Sequence, residues 1–140
     1  MPEKKKIIEL AKSFIGTPYK YAVKPEEIPA FFDCSSFTQY LYKQLGVEIL
    51  RSTILQATAG TEISINGPFE PGDLLFYRGD KGHYNDSLFP GKNVCIGHVV
   101  MYTENNMAIH AAGGKGVIEE TLSNISKSKC GPIVMVKRIF

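Results

Sequence analysis

Cys34 is the residue of this 140-residue chain with the clearest capacity for chemistry. It follows Asp33, which stands where a helix N-cap is expected, so the thiol belongs to the first turn of a predicted helix. The free N–H groups and the positive dipole end at that position favour a thiolate and predict a lowered thiol pKa. The charge of Asp33 opposes this effect unless its carboxylate caps the helix. A buried structural cysteine is the alternative, and position alone leaves both interpretations open.

Two histidines supply the groups that a nucleophilic cysteine needs. His98 and His110 flank one predicted hairpin, and a thiol nucleophile requires a general base and a group that fixes the tautomer of that base. A three-residue loop centred on Glu104 would place the histidines directly opposite each other. A tight turn at Asn105 and Asn106 would need a β-bulge to align them. Either histidine alone is more often a packing residue, but the pair together with the capped cysteine favours a catalytic set.

Helical spacing in the first half of the chain provides the element that carries the thiol. The pattern predicts a first helix of about 11 residues, a second that begins at Cys34 and ends before Gly46, and a short third within residues 52–58. Phe32 and Phe37 are spaced as a hydrophobic staple across the start of the second helix. The thiol is therefore expected at a well-defined helix entrance.

The second half of the chain changes to a strand pattern. Helices followed by antiparallel strands are typical of an α+β fold with the helices against one face of the sheet. Residues 78–95 contain four glycine or proline positions and predict a loop inserted between strands. The sequence predicts about five strands, at residues 74–77, 97–102, 107–112, 117–122 and 133–139.

Composition and charge narrow the class of protein. The chain is 44% hydrophobic and 21% charged, with 16 basic against 14 acidic residues, which predicts one globular domain over residues 1–140. The near balance of charge argues against nucleic acid as a partner. No apolar run reaches the roughly 18 residues of a membrane span. Glu9 and Lys12 interrupt the pattern of a signal peptide, so we expect a cytoplasmic protein or the trimmed catalytic part of an exported one. The oligomeric state stays open.

The remaining cysteines suggest neither a disulfide framework nor a metal. The chain has three cysteines, and we expect Cys95 and Cys130 to be small core residues. A zinc site could be assembled from Cys34, Cys95, His98 and His110, but no Cys-x-x-Cys or close histidine pair suggests one. We therefore predict no metal and no cofactor.

Four short motifs follow one another along the chain: FDCSSF at residues 32–37, PGDLLF at 71–76, IGHV at 96–99 and IHA at 109–111. In their order and spacing, which together are specific, they resemble the NlpC-type cell-wall cysteine peptidases, the NlpC and sixty-kilodalton-protein family. The likeness extends from Gly16 to about Val117.

The resemblance implies a papain-like α+β fold and a role for each matched residue. Cys34 attacks the substrate, His98 is the base, and His110 orients it. Tyr19 lies beside the nucleophile and helps to hold the oxyanion, with the Cys34 backbone N–H as the other donor.

The resemblance also bears on the substrate-binding side. In the family the Asp and Ser that flank the cysteine help to shape the substrate site. Asp33 and Ser36 are therefore candidates for substrate binding, with a weaker case than the catalytic residues. Two positions depart from the common pattern: Ala22-Val23 replaces Gly-Gly, and Ser36 replaces Gly. Residues 83–86 have no counterpart in it and are expected to form a surface loop rather than a substrate-contacting rim.

The predicted function is cleavage of an amide bond in a peptidoglycan stem peptide by a thiol hydrolase that forms a thioester. The resemblance favours the γ-D-glutamyl bond to a diamino acid. Two alternatives remain. One is an acyltransferase or a hydrolase of another γ-glutamyl compound, and the other is a module that binds wall fragments without cutting them.

Overall fold

The computed structural model describes residues 2–83, 89, 95–128 and 130–140. The helices in this part of the chain are α1 (Pro2–Ser13), a 3₁₀ turn (Pro25–Glu27), α2 (Cys34–Gln44), α3 (Thr53–Gln56) and α4 (Leu122–Lys127). The three predicted helices are confirmed. The short α4 was not predicted, because its six residues follow directly on a strand whose pattern conceals them.

Among the residues that the structure describes, six strands form one antiparallel sheet, which is the second layer. The spatial order is β1-β6-β2-β3-β4-β5. The prediction of about five strands missed β1, whose three residues Thr-Glu-Ile are too short and too polar to show a strand pattern. The strands are β1 (Thr61–Ile63), β2 (Leu74–His83), β3 (Ile96–Tyr102), β4 (Met107–Ala112), β5 (Gly116–Thr121) and β6 (Cys130–Arg138).

Part of the segment that was predicted as a loop, residues 78–83, is strand instead. Strand β2 continues to His83, with irregular register after Tyr77, because β3 and β6 both pair with it. Tertiary pairing thus overrides the glycines that indicated a loop. The expected surface loop at residues 84–86 lies outside the described residues.

Apolar side chains pack on both faces of the sheet. One cluster joins α1, α2 and α3 to the sheet through residues such as Phe37, Leu41 and Phe76. A second cluster on the other side includes Leu75 and Ile125, the latter from α4. The α+β class is confirmed, with the correction that α4 covers the face opposite the N-terminal helices.

The hairpin between β3 and β4 contains the tight turn that was one of the two predicted alternatives. Asn105 and Asn106 have φ of 52° and 60°, and the Met107 N–H donates to the Glu104 carbonyl at 2.9 Å. These are the features of a type I′ turn. The Thr103 N–H also donates to the Met107 carbonyl, at 3.0 Å, so two residues of one strand face one of the other. This is the required β-bulge.

The bulge determines how the two histidines meet. Beyond it Tyr102 pairs with Ala108, and the same register continued places Val100 opposite His110. His98 and His110 are therefore diagonal neighbours, a relationship that still allows long side chains to touch. Of the two predicted arrangements, the tight turn with a bulge is the one found, but this bulge leaves His110 opposite a position two residues from His98 and does not align the two histidines.

Candidate active site

The start of α2 holds Cys34 by a complete capping box. Asp33 Oδ1 accepts from the Ser36 N–H at 2.8 Å, and the Asp33 N–H donates to Ser36 Oγ at 2.9 Å. The Phe32 and Phe37 rings pack with centroids 5.2 Å apart, which confirms the hydrophobic staple. Cys34 is the first helical residue, as predicted, where backbone N–H groups have no partner within the helix.

The thiol of Cys34 meets donors from three segments. Thr53 Oγ1 lies 3.5 Å from Sγ, and the backbone N–H groups of Val99 and Ser35 also favour the thiolate. Burial nevertheless raises the pKa of Cys34, and the Asp33 charge adds to the rise. The expected lowering by the helix N-terminus is therefore wrong for the free protein, because desolvation outweighs the donors. The thiol needs a base to ionise.

The strand that carries His98 runs beside this thiol. The Val99 N–H donates to Cys34, which shows that β3 passes the start of α2. The helix α2 packs against β3 and β4. A close approach of two glycines precedes the histidine: a Cβ on Gly97 would lie 2.6 Å from Gly79 Cα. Only glycines allow the β2 and β3 backbones to come this near, which sets the path of β3 into His98.

The two histidines and a glutamate form a continuous line of hydrogen bonds. His98 Nε2 lies 2.7 Å from His110 Nδ1, and His110 Nε2 lies 2.7 Å from Glu120 Oε2. Burial, with a contribution from His110, lowers the pKa of His98 to about 3. Burial also lowers the pKa of His110, against the raising effect of Glu120. Both imidazoles are neutral near pH 7, so His98 is available to accept a proton.

Tyr19 lies near the nucleophile, as the resemblance implied. A parallel bridge pairs it with Phe32, two residues before Cys34. Burial and the charges of Cys34 and Asp33 raise the pKa of Tyr19 to about 12. Its hydroxyl therefore stays protonated and can donate a hydrogen bond to an oxyanion.

An arginine that the sequence did not single out occupies the other side of Asp33. Arg51 Nη2 contacts Asp33 Oδ2 at 2.7 Å and the Val23 carbonyl at 3.1 Å, while Nη1 donates to Ser35 Oγ at 2.7 Å. Burial alone would raise the pKa of Asp33, but the bonds from Arg51 and Ser36 lower it overall. Asp33 is thus ionised and fully engaged by groups of this chain.

Ser36 differs from the other candidates in its surroundings. It is fully buried, and its hydroxyl lies within the capping box, where it contacts the Asp33 backbone. The structure brings Tyr19 and Asp33 to the thiol, and His98 to His110, while Ser36 lies on the inner side of the helix entrance.

The departure at Ala22 has a conformational consequence. Its φ is 53°, in the left-handed region that glycine enters without strain. The next residue, Val23, donates its N–H to Asp33 Oδ2 at 3.3 Å and is bound by Arg51 through its carbonyl. These contacts hold Ala22 in a conformation costing about 1–2 kcal/mol.

A buried polar pair fixes α3 against α2 and so positions Thr53. Gln56 is fully buried, accepts from Thr38 Oγ1 at 2.6 Å and donates to the Ser35 carbonyl at 2.8 Å. The sequence predicted the helix α3 but not these two contacts, because they join residues that are 18 and 21 positions apart.

The other two cysteines lie apart from the site. Cys95 is buried and donates to the Gly79 carbonyl at 3.0 Å, as expected of a small core residue. The side chain of Cys130 lies outside the described part of the structure. Within residues 2–83, 89, 95–128 and 130–140, no cluster of three histidine, cysteine or acidic side chains could hold a metal ion. The helices described there include none long and apolar enough to cross a membrane.

Comparison with known proteins places this geometry in a family. The NlpC/P60 family model matches residues 16–131. Protein P54 of Enterococcus faecium is 38% identical over 109 residues, which cover 69% of this chain and 20% of that protein. The gamma-D-glutamyl-L-lysine dipeptidyl-peptidase of Bacillus cereus is 30% identical over 81% of this chain and 30% of its own length.

A solved structure extends the likeness to nearly the whole fold. The NlpC/p60 domain of the peptidoglycan hydrolase SagA superposes with a TM-score of 0.73 at 30% identity, over 96% of this chain and 97% of that domain. By contrast, this chain spans only about a fifth of P54 and less than a third of the Bacillus enzyme. The matched region contains Cys34, His98 and His110, and the chain belongs to the NlpC/P60 family.

Proposed function

We propose that this chain is a cysteine endopeptidase that hydrolyses an amide bond in peptidoglycan stem peptides. The bond is the γ-D-glutamyl link to a diamino acid, and Cys34 and His98 are the catalytic residues. The observation that carries the proposal is the arrangement at the start of α2. A protonated thiol, which needs a base, lies against the strand that presents a neutral imidazole.

In the acylation step the thiol proton moves to His98 as Cys34 Sγ bonds to the substrate carbonyl carbon. The resulting oxyanion receives hydrogen bonds from the Cys34 backbone N–H and the Tyr19 hydroxyl. When the tetrahedral intermediate collapses, the C–N bond breaks and the His98 proton passes to the leaving amine. The enzyme is left as a thioester with His98 neutral.

Deacylation repeats the same proton path with water. His98 takes a proton from the water as its oxygen bonds to the thioester carbon. The C–S bond then breaks, the acyl fragment leaves as a carboxylic acid, and the proton on His98 returns to the thiolate. One water is consumed, and no other reactant is required.

The choice of bond is supported by the relatives. The Bacillus cereus relative is named for γ-D-glutamyl-L-lysine, and SagA is named as a peptidoglycan hydrolase. We propose the same chemical class of substrate for this chain. Its place of action is then the cell wall or the peptides released from it.

The test is incubation with defined stem peptides. A tripeptide that contains the γ-linked D-Glu-L-Lys bond and the isomer with an α-linked bond form a matched pair with the same mass and charge. We expect cleavage of the γ-linked peptide only, and none by Cys34→Ala. Equal cleavage by Cys34→Ala would refute the mechanism, and preference for the α-linked isomer would refute the proposed bond.

A further inference from the structure

Glu120 ends the line of hydrogen bonds that begins at His98. It is on β5, and its carboxylate contacts His110 Nε2 with both side chains largely shielded: His110 is 5% exposed and Glu120 14%. Nothing in the motifs of the sequence marks this glutamate. It lies ten residues from His110 and is brought there by the pairing of β4 with β5.

The chemistry of these contacts determines where the protons lie. An ionised carboxylate only accepts hydrogen bonds, so His110 must donate through Nε2–H. The neutral ring then has an unprotonated Nδ1, which accepts from His98 Nε2–H. His98 is left with its lone pair on Nδ1. A donor in place of Glu120 would permit the reverse order, in which His98 Nδ1 carries the proton and cannot act as a base.

We propose that Glu120 is a positioning residue that fixes the tautomers of His110 and His98 and stabilises the positive charge on His98 after it takes the Cys34 proton. This role rests on the proposed thiol chemistry. Glu120 does not itself touch the substrate, and it acts through His110.

The groups around the histidine pair show why a carboxylate is needed there. Burial disfavours protonation of both rings, and Lys115 at the turn between β4 and β5 disfavours it further at His110. Tyr77 on β2 pairs with His98 in the sheet, and α2, which begins at Cys34, packs against β3 and β4. Glu120 is the group whose contact with His110 favours the protonated pair.

The neighbouring Glu119 provides a matched control. It lies on the same strand but accepts from Thr103 Oγ1 at 2.7 Å rather than from a histidine. Glu119→Gln and Glu120→Gln remove the same charge one residue apart. A difference between the two variants therefore reports the contact with His110 and not the net charge.

The first measurement is the pH dependence of Cys34 alkylation by iodoacetamide, followed at Cys34 by peptide mass analysis. We expect Glu120→Gln to react about tenfold more slowly near neutral pH, because the variant loses one charge-assisted hydrogen bond to His110. At alkaline pH, where hydroxide ionises the thiol, the variant and the wild type should converge. A merely structural role would slow the reaction at every pH. Profiles of Glu120→Gln and Glu119→Gln that coincide with the wild type would overturn the proposal.

The second measurement uses the unmodified chain and does not depend on a variant that folds. Two-bond ¹H–¹⁵N correlation spectra of histidine-labelled protein near pH 7 distinguish the two neutral tautomers. We expect His98 and His110 both to carry the proton on Nε2. A proton on His110 Nδ1 would overturn the proposal.

Neither measurement uses a peptide substrate, so the proposed function can fail separately. If both results hold and no stem peptide is cleaved, the substrate assignment is wrong and the role of Glu120 stands. If stem peptides are cleaved through Cys34 and Glu120→Gln alkylates like the wild type, only the role of Glu120 is wrong.

Discussion

His98 Nε2 and His110 Nδ1 lie 2.7 Å apart although their residues are diagonal, not opposite, across the hairpin. This contact makes the two rings one unit, because the tautomer of either ring dictates that of the other. In the proposed mechanism, the proton that Cys34 gives up therefore enters a hydrogen-bonded pair and not an isolated imidazole.

Substitution of the two histidines should separate their roles. We expect His98→Ala to lower kcat/KM by roughly a thousandfold, because it removes the proposed general base. His110→Ala should lower kcat by about ten- to a hundredfold with little change in KM, because it releases the orientation of His98. Steady-state kinetics on a γ-linked peptide measure both, with circular dichroism as the check on folding. A larger loss for His110→Ala than for His98→Ala would contradict the assignment.

Arg51→Ala should destabilise the chain through Asp33. Asp33 is 10% exposed and would lose its partner, whereas Arg51 is 40% exposed, so the ion pair is partly screened by solvent. We expect the free energy of unfolding to fall by about 1–2 kcal/mol in urea titrations. Arg78→Ala, at an exposed arginine, serves as the control and should change it little. Equal stability of the two variants would show that the Asp33 contact contributes nothing.

Ala22→Gly should stabilise the protein. Relief of the left-handed strain at Ala22 outweighs the greater flexibility of glycine in the unfolded chain, for a net gain of roughly 0.5 kcal/mol. Ala30 is an exposed residue of the same loop whose φ is not positive, so the same change there should lower the stability instead. Urea unfolding of both variants tests this, and a loss of stability in Ala22→Gly would contradict the account of strain.

Acid should weaken the fold through His98 and Asp33. In the folded chain the pKa of His98 lies at about 3, so between pH 6.5 and 3 the unfolded chain binds a proton that the folded chain does not. Stability then falls as the pH falls, by up to about 1.4 kcal/mol per pH unit for this group. Asp33, whose folded pKa is lowered, adds a loss in the same direction at still lower pH.

Urea midpoints measured between neutral and mildly acidic pH in the wild type and in His98→Gln test this dependence. The variant should lose less stability on acidification. A dependence of equal slope in both proteins would show that His98 is not the source.

Local signals in the sequence predicted the nucleophile's surroundings well. The capping box of Asp33 and the staple of Phe32 with Phe37 involve residues within five positions of each other, and both are found. The turn at Asn105 and Asn106 was likewise one of two options that residue type alone could suggest. Contacts of this range follow from residue type and spacing.

The contacts that the sequence missed depend on strand register and helix packing. Glu120 reaches His110 only because β4 and β5 pair in one register, and Arg51 reaches Asp33 across 18 positions. The raised pKa of Cys34 was also missed, since desolvation depends on the complete packing around the thiol. No local pattern carries that information.

Hydrolysis of a γ-linked stem peptide in ¹⁸O-labelled water is the decisive test of the proposed thiol mechanism. Mass analysis of the fragments identifies both the bond cut and the source of the new oxygen. We expect one ¹⁸O in the γ-carboxyl group of the glutamate fragment from the wild type, and no cleavage by Cys34→Ala. Label at any other carboxyl, or cleavage that persists in Cys34→Ala, would contradict it.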